Sequence, residues 1–408
     1  MTEHYDFVIV GNSAAGLQAV QTLRRHDQES TIALIDREDR PAYSRVLTPY
    51  YVGGHIPRER LHIVDHSFYV KLGIKTIFGQ AVISIEPEQH QIALADGTTL
   101  QFAKLLLATG AEARTLAFCT PRTCVLRHME DAEKLYEYYQ GIETVTAIGA
   151  GLVSLPLLSH APSHIEKHLI VGSDRIFSRV VDADAATILE EKLAEKGLSI
   201  HKQNDIQAIS EDDKLKLTLN CGTELLSDLL IIGKGVTPNI NLASDALLDT
   251  ADGVLIDDFC RTNHPDIFAA GDAAEGKDFI SGRKTIQGNW MTAVEQGENA
   301  ALNMLGMECR YQGSLKNNIT EIFDIDVAAI GYCSDDAPKV IYHWNSLTGR
   351  FRKVFLDEQE RVIGATMIGE TNDSGLYYQL INTRSVFPGK KLLQGTANYA
   401  QTQLRLAS

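Results

Sequence analysis

Short apolar runs that end in glycine recur along this chain, and the period of the apolar positions changes after each one. FVIV (Phe7 to Val10) is β-branched and uninterrupted, the pattern of a parallel strand buried on both faces. Beyond Gly16 the period becomes helical in LQAVQTLRR, where Leu17, Val20 and Leu23 share one face. STIALID (Ser30 to Asp36) predicts a second buried strand ending in an acid. KLLLATGAEAR (Lys104 to Arg114) runs a strand into Ala108, Thr109 and Gly110, and TNHPDIFAAGDAAE (Thr262 to Glu275) ends one at Gly271 and Asp272. The opening order returns in TVTAIGAGLVSLPLL (Thr144 to Leu158): a strand, the turn Gly149-Ala150-Gly151, then a helix. HLIV (His168 to Val171) predicts the next strand, and DLLIIGKGVTPNINLA (Asp228 to Ala243) a strand leading back out. GNWMTAVEQGENAALNML (Gly288 to Leu305) predicts a helix. After residue 310, alternating strands such as RFRKVFLD and RVIGATMIG precede a helical DSGLYYQLIN.

Strand, glycine turn and helix, with an acid about twenty residues on, form the outline of a dinucleotide-binding turn. Gly11 permits the tight turn and Gly16 the close packing of helix on strand. Ser13 stands at the middle position, where a pyrophosphate approaches the backbone; serine is small and its hydroxyl can donate to phosphate. Asp36 lies where a ribose hydroxyl is held, or else is a solvated member of the run DREDR. The second turn carries Ser154 at its third glycine position, and no acid ends the strand at Val171. Asp174 lies three residues later and Arg175 follows it, but without a basic cluster the reading favours NAD(H) over NADP(H). This turn is either a working dinucleotide site or one that has become structural.

Composition narrows the class. At 408 residues the chain has room for roughly two to four domains. The formal net charge is -15, so nucleic acid and anionic membrane are expected to be repelled. No apolar run reaches the length of a membrane span, and Met1 leads directly into a strand pattern without a signal peptide, so the cytoplasm is the expected location. There are six cysteines and no C-x-x-C pair, which argues against a metal or iron–sulfur site held by this chain alone. Cys119 and Cys124, in the loop-like CTPRTC, are either reduced thiols or a redox dithiol.

The segments ending at Gly110 and Asp272 resemble the signatures of two-dinucleotide flavoproteins, the pyridine nucleotide-disulfide oxidoreductase superfamily. Within it the chain is similar to the NADH:rubredoxin/ferredoxin reductase and nitrite-reductase-like branch. The resemblance spans essentially the whole chain. It implies an α/β fold with two Rossmann-like dinucleotide-binding domains (glutathione-reductase-like) and a small α+β C-terminal domain. The implied flavin domain is split, 1–113 and 243–309; the nicotinamide domain is 114–242; residues 310–408 serve packing, dimer contacts or partner docking. FAD is then held by Gly11, Ser13, Ala14, Ala15, Gly16, Asp36, Ser44, Arg45, Val82, Ala108, Thr109, Gly110, Gly271 and Asp272. NAD(H) is held by Gly149, Gly151, Leu152, Val153 and Ser154. Asp272 is expected to bond the ribityl chain, or to be an N-cap only, and the helix following it to aim its amino terminus at the flavin, with Trp290 and Gln296 near the ring.

Two departures from the family pattern shape the chemistry. In the ferredoxin-reductase branch a Lys and a Glu pair beside flavin N5; here Tyr50 and Pro156 occupy those positions, so both halves of the pair are replaced together. Members that reduce disulfides carry a cysteine three residues before Pro-Tyr-Tyr, and here VLTPYYVGG places Val46 there. Thiol chemistry is excluded at that position. The flavin carries the chemistry, and Tyr50 and Pro156, near N5, are the candidate catalytic positions. YSRVLTPYY also resembles flavin subunits of multi-subunit oxidoreductases serving phenylglyoxylate or tungsten-dependent aldehyde oxidation. This implies an oxidoreductase passing electrons between NAD(H) and an iron–sulfur partner, as a hetero-oligomer or homodimer. The rivals are a free-standing NAD(P)H:rubredoxin or ferredoxin reductase, and a non-catalytic flavin-bound assembly subunit.

Overall fold

The computed structural model describes residues 3–345, 347–389 and 393. It divides into two compact units, one of residues 1–45, 58–112 and 236–315, the other of residues 46–57, 113–235 and 316 onward.

In the first unit the strand Glu3–Val10 lies at the centre of a parallel core, between Ile32–Asp36 and Thr99–Leu107. Ile74–Phe78 extends it on one side and Ile267–Ala269 on the other. Phe7 to Val10 are all buried, as their uninterrupted apolar run requires. The helix Ala14–His26 covers this sheet and packs on the helix Trp290–Met304, so closely that a Cβ on Gly297 would stand 2.3 Å from the Ala15 carbonyl oxygen. Arg24 fastens the far end of the first helix: its buried guanidinium donates to the carbonyls of Leu72 (2.6 Å), Asp27 (2.9 Å) and Ser30 (3.0 Å).

The helix expected over Gly288 to Leu305 forms as Trp290–Met304, while the alternative of Asp272 as an N-cap needs correction. No α-helix follows Asp272 directly. Gly271–Ala273 form a single 3₁₀ turn, a hairpin of Ala274–Lys277 and Lys284–Thr285 intervenes, and the helix begins only at Trp290. The turn residues in KDFISGRK account for it, with Asp278 accepting from the Ser281 amide at 2.7 Å and Gly282 at φ +70°. The N-cap of that helix is Asn289, which accepts from the Thr292 amide at 2.9 Å, and not Asp272.

The second unit repeats the parallel pattern, in the order Leu198–Lys202, Glu166–Val171, Thr144–Ile148, Leu229–Ile232, Thr123–Cys124. Beside it lies an antiparallel sheet of Ile206–Glu211, Leu215–Leu219 and Glu224–Ser227. The last sheet of the unit is antiparallel, ordered Asn317–Ile322, Ile325–Gly331, Val362–Ile368, Arg350–Leu356, Lys339–Asn345, with the helix Ser374–Asn382 packed on it. This sheet is joined to the rest of the unit through Lys353, whose ammonium meets Asp182 (2.9 Å), Asp184 (2.9 Å) and Asp335 (3.2 Å). A short helix, Thr48–Val52, packs on Met129–Tyr139 and Ser154–His160, with Tyr51 and Tyr136 stacked at 5.0 Å.

The six cysteines are unbridged; Cys119 is exposed while Cys124 is buried in an edge strand. Among the described residues no helix is long and apolar enough to cross a membrane, and no cluster of His, Cys, Asp and Glu could hold a metal.

Candidate functional site

The first glycine turn is sealed by backbone. The Gly11 amide donates to Ile35 O and the Ala108 amide to Val10 O, both at 2.8 Å, which closes the two flanking strands around the turn. Gly11 has φ +113°, and a Cβ there would stand 2.1 Å from Ala108 O. A Cβ on Gly16 would stand 1.8 Å from Gly11 O. Neither position accepts a side chain. Ser13 is the N-cap residue of Ala14–His26 with extended backbone, and its side chain makes no capping bond. No acid lies in the first turn, and Arg24, Arg25 and His26 lie in the last. The amino end of this helix, with the amides of Ala14, Ala15 and Gly16, is thus suited to an anion.

Asp36 ends the neighbouring strand. Its carboxylate accepts from the Asn12 amide (2.6 Å) and the Glu38 amide (2.8 Å). Burial pushes its pKa up, and these two bonds only partly oppose the shift. Just beyond, the Arg45 guanidinium meets Glu38 (3.0 Å) and donates to the Tyr43 hydroxyl (2.9 Å), while the Ser44 amide donates to Leu61 O at 2.8 Å. Val82 is buried two residues past Gln80, whose amide bonds Asp36 O at 3.1 Å. At the next strand end Thr109 and Gly110 are clamped by Asn239: Asn239 N donates to Gly110 O (2.9 Å), Asn239 Nδ2 to Thr109 O (2.8 Å), and Thr109 Oγ1 to Asn239 O (3.0 Å). The Gly271 amide donates to Gln296 Oε1 at 2.8 Å, and Asp272 follows it on the 3₁₀ turn. Gly11, Ser13, Asp36, Ala108 to Gly110, Gly271 and Asp272 therefore gather at the carboxyl edge of one parallel sheet, where this architecture binds its ligands.

The second turn is built alike and differs in one respect. The Gly149 amide donates to Ile170 O (2.9 Å), and the Gly233 amide to Ile148 O (2.8 Å). Gly149 has φ +94° and its Cβ would stand 2.3 Å from Gly233 O, whereas a Cβ on Gly151 meets nothing within 4 Å. Ser154 is fully buried, and its hydroxyl has no hydrogen-bond partner among the described residues. The room for it comes from Gly233, where a Cβ would stand 1.9 Å from Ser154 Oγ. The missing third glycine is offset by one on the adjacent strand end. Gly233→Ala should therefore lower the melting temperature by the equivalent of about 1–3 kcal/mol of overpacking. Adding Ser154→Gly should restore it, and a thermal-shift double-mutant cycle that finds the two substitutions additive would contradict this.

Leu152 is exposed and Val153 precedes a helix of only 7 residues, Ser154–His160, against 13 in the first turn's helix. Pro156 sits in its first turn, where a missing amide is tolerated. Val171 is buried, and the Asp174 side chain is 67% exposed beside Arg175 at 3.8 Å.

The Tyr50 ring lies tilted against His160 at 4.0 Å, one helical turn past Pro156, and His55 meets the same imidazole edge-on at 5.1 Å. Tyr50, at the sequence position where the family resemblance expects the Lys, thus makes a ring contact with a histidine. His160 is buried and its Nε2 has no partner among the described residues; burial, with His55 beside it, lowers its pKa to about 4. The unfolded chain takes up this proton near pH 6.5 and the folded one near 4, so stability is lost as pH falls through that window. His160→Phe should accordingly gain in melting temperature over wild type at pH 5 relative to pH 7.5; an equal difference at both values would contradict the assignment.

Sequence reading misses Asn12, Asn239 as a clamp, Gly233 and the His55–His160 pair. Gly233 carries a signal, a glycine at the end of an apolar strand, whereas His160 carries none because its partners lie about a hundred residues away in sequence.

A family model described as pyridine nucleotide-disulphide oxidoreductase matches residues 5–297. The epsilon subunit of NADH-dependent phenylglyoxylate dehydrogenase from Aromatoleum evansii is 28% identical over 395 residues, covering 94% of this chain and 93% of its own length. The ferredoxin–NAD(+) reductase component of 3-phenylpropionate/cinnamic acid dioxygenase from Photorhabdus laumondii is 31% identical, covering 74% of this chain and 78% of its own. A crystal structure of a ferredoxin reductase from Rhodopseudomonas palustris superposes with a TM-score of 0.89 at 25% identity, covering 99% of this chain and 100% of the other. Matched over more than half its length and carrying both sealed glycine turns, the chain belongs to the pyridine nucleotide-disulphide oxidoreductase family.

Proposed function

We propose that the chain is an FAD-dependent oxidoreductase that passes electrons between NAD(H) and an iron–sulfur protein. The observation that carries this reading is the pair of backbone-sealed turns, Gly11 against Ala108 and Gly149 against Gly233, each at the carboxyl edge of a parallel sheet. Residues 1–113 and 243–309 would form the flavin domain, 114–242 the nicotinamide domain, and 310–408 an interface domain. In the first, the amides after Ser13 would face the diphosphate, Asp36 the adenosine ribose, and Asp272 the ribityl chain. Gly149, Gly151, Leu152, Val153 and Ser154 would face the nicotinamide dinucleotide. Bound flavin supplies exchange between a two-electron hydride carrier and one-electron carriers. Val46, at the position of a redox cysteine in thiol-using members, is 60% exposed and offers no sulfur, so electrons leave for an external acceptor.

The similarity to the epsilon subunit named above, which spans nearly the full length of both chains, favours a subunit of a larger complex over a free-standing reductase. The short helix after the second turn and the absence of an acid at Val171 favour one other reading, a flavin-bound assembly subunit with no working nicotinamide site. Affinity purification followed by assay with NADH or NADPH and a ferredoxin distinguishes these. Co-purification with an iron–sulfur protein and preference for NADH are expected. Isolation as a lone flavoprotein that reduces ferredoxin supports the free reductase, and inactivity with both nucleotides supports the assembly subunit.

A further inference from the structure

The hairpin between Asp272 and the helix Trp290–Met304 takes no part in either glycine turn. Its pairing sets Lys277 directly opposite Lys284. Like charges opposite one another on an antiparallel pair destabilise it, and Arg283 adds a third cation beside them. None of the three side chains has a carboxylate partner among the described residues. The acids nearby are already engaged. Asp257 meets Arg261 (3.5 Å) and Asp258 meets Arg310 (2.6 Å). Asp278 accepts from the Ser281 amide (2.7 Å) and from Gln287 (2.5 Å). Lys277 and Lys284 line an open cleft of about 430 Å³ with Ile256, Phe259, Gly282 and the two arginine-paired acids, Asp257 and Asp258.

The hairpin is also pre-built. The Asp278 amide donates to Arg283 O (2.8 Å), the Gly282 amide to Asp278 O (2.9 Å) and the Phe279 amide to Ser314 O (2.9 Å), so a partner need not order it. On a chain of net charge -15, a protein with clustered carboxylates is repelled by most of the surface and drawn to a patch of this kind. We infer that the Lys277–Lys284 hairpin, with the cleft beside it, is the docking surface for the acidic face of a protein partner. Resting on the function proposed above, that partner is the iron–sulfur electron carrier.

The test uses the flavin-loaded protein with NADH as reductant and an acidic [2Fe–2S] ferredoxin as the probe. Wild type, Lys277→Glu/Lys284→Glu and Lys277→Gln/Lys284→Gln are compared at low and raised NaCl, with flavin content as the check on folding. Menadione, an uncharged acceptor, reads turnover without docking. Charge reversal should raise the KM for ferredoxin at least tenfold and flatten its salt dependence; the glutamine pair should fall between, with menadione turnover unchanged in both. An unaltered ferredoxin KM in both variants overturns the docking surface and leaves the proposed function standing. A wild-type protein that reduces menadione but not ferredoxin overturns the partner assignment itself. A rise in the KM for NADH in place of that for ferredoxin assigns the lysines to a phosphate-bearing small molecule and overturns protein docking.

Discussion

Gly11→Ala will yield protein without bound flavin, whereas Gly151→Ala will fold and retain it. The same added methyl group meets opposite surroundings in the two turns. At Gly11 it would stand 2.1 Å from Ala108 O and 2.8 Å from Ala108 C, on a backbone at φ +113°. The carbonyl cannot withdraw, because Ala108 is tied to Val10 by the 2.8 Å bond that closes the strand pair. Strain at a left-handed residue and an overlap that backbone cannot relieve together amount to several kcal/mol, a large share of the roughly 5–15 kcal/mol that holds a domain folded. At Gly151 the methyl group enters open space. Its expected effect is confined to the nicotinamide dinucleotide, as a raised KM for NADH. Visible absorbance per mole of purified protein checks the first half and steady-state kinetics the second. A yellow Gly11→Ala protein with one flavin per chain would contradict the placement of the cofactor at this turn.

The second large effect is expected at Lys353. Its side chain is only 4% exposed and that of Asp182 is fully buried. One Asp182 oxygen accepts from the ammonium at 2.9 Å and from the Asp184 amide at 3.2 Å, at the start of the helix Ala183–Glu195; the other has no partner among the described residues. Burial alone would lower the pKa of Lys353, but Asp182 and Asp184 outweigh it and the pKa is raised. The stabilisation is therefore complete below the unfolded lysine value of about 10.4 and is lost only as pH rises through the higher folded value. Lys353→Met would leave a buried carboxylate uncompensated with two more beside it, a loss of about 3–5 kcal/mol. Urea unfolding at pH 7.5 should show that loss. A loss under about 1 kcal/mol at pH 7.5 would mean that the lysine is not what holds the last sheet against Asp182.

Both turns are legible in the amino-acid sequence because each is written within some fifteen consecutive residues, where the apolar period and the glycine spacing act together. The same holds for the strands ending at Asp36, Leu107 and Ala269. What escapes are pairings between positions remote in sequence that local pattern does not encode. Gly233 makes room for Ser154 from a different strand, and Lys353 neutralises Asp182 across 171 residues. Tyr50 finds His160 only because a short helix and the second turn's helix pack together. The hairpin after Asp272 escapes for another reason: its strands are of 4 and 2 residues, too short for an alternation to register, so the stretch reads as an approach to the helix.

Anaerobic titration of the purified protein with NADH tests the central claim most directly. The account predicts a yellow protein whose flavin absorbance bleaches with about one equivalent of NADH and returns when an iron–sulfur acceptor is added. A colourless protein, or a yellow one that NADH in excess leaves unbleached, would contradict it.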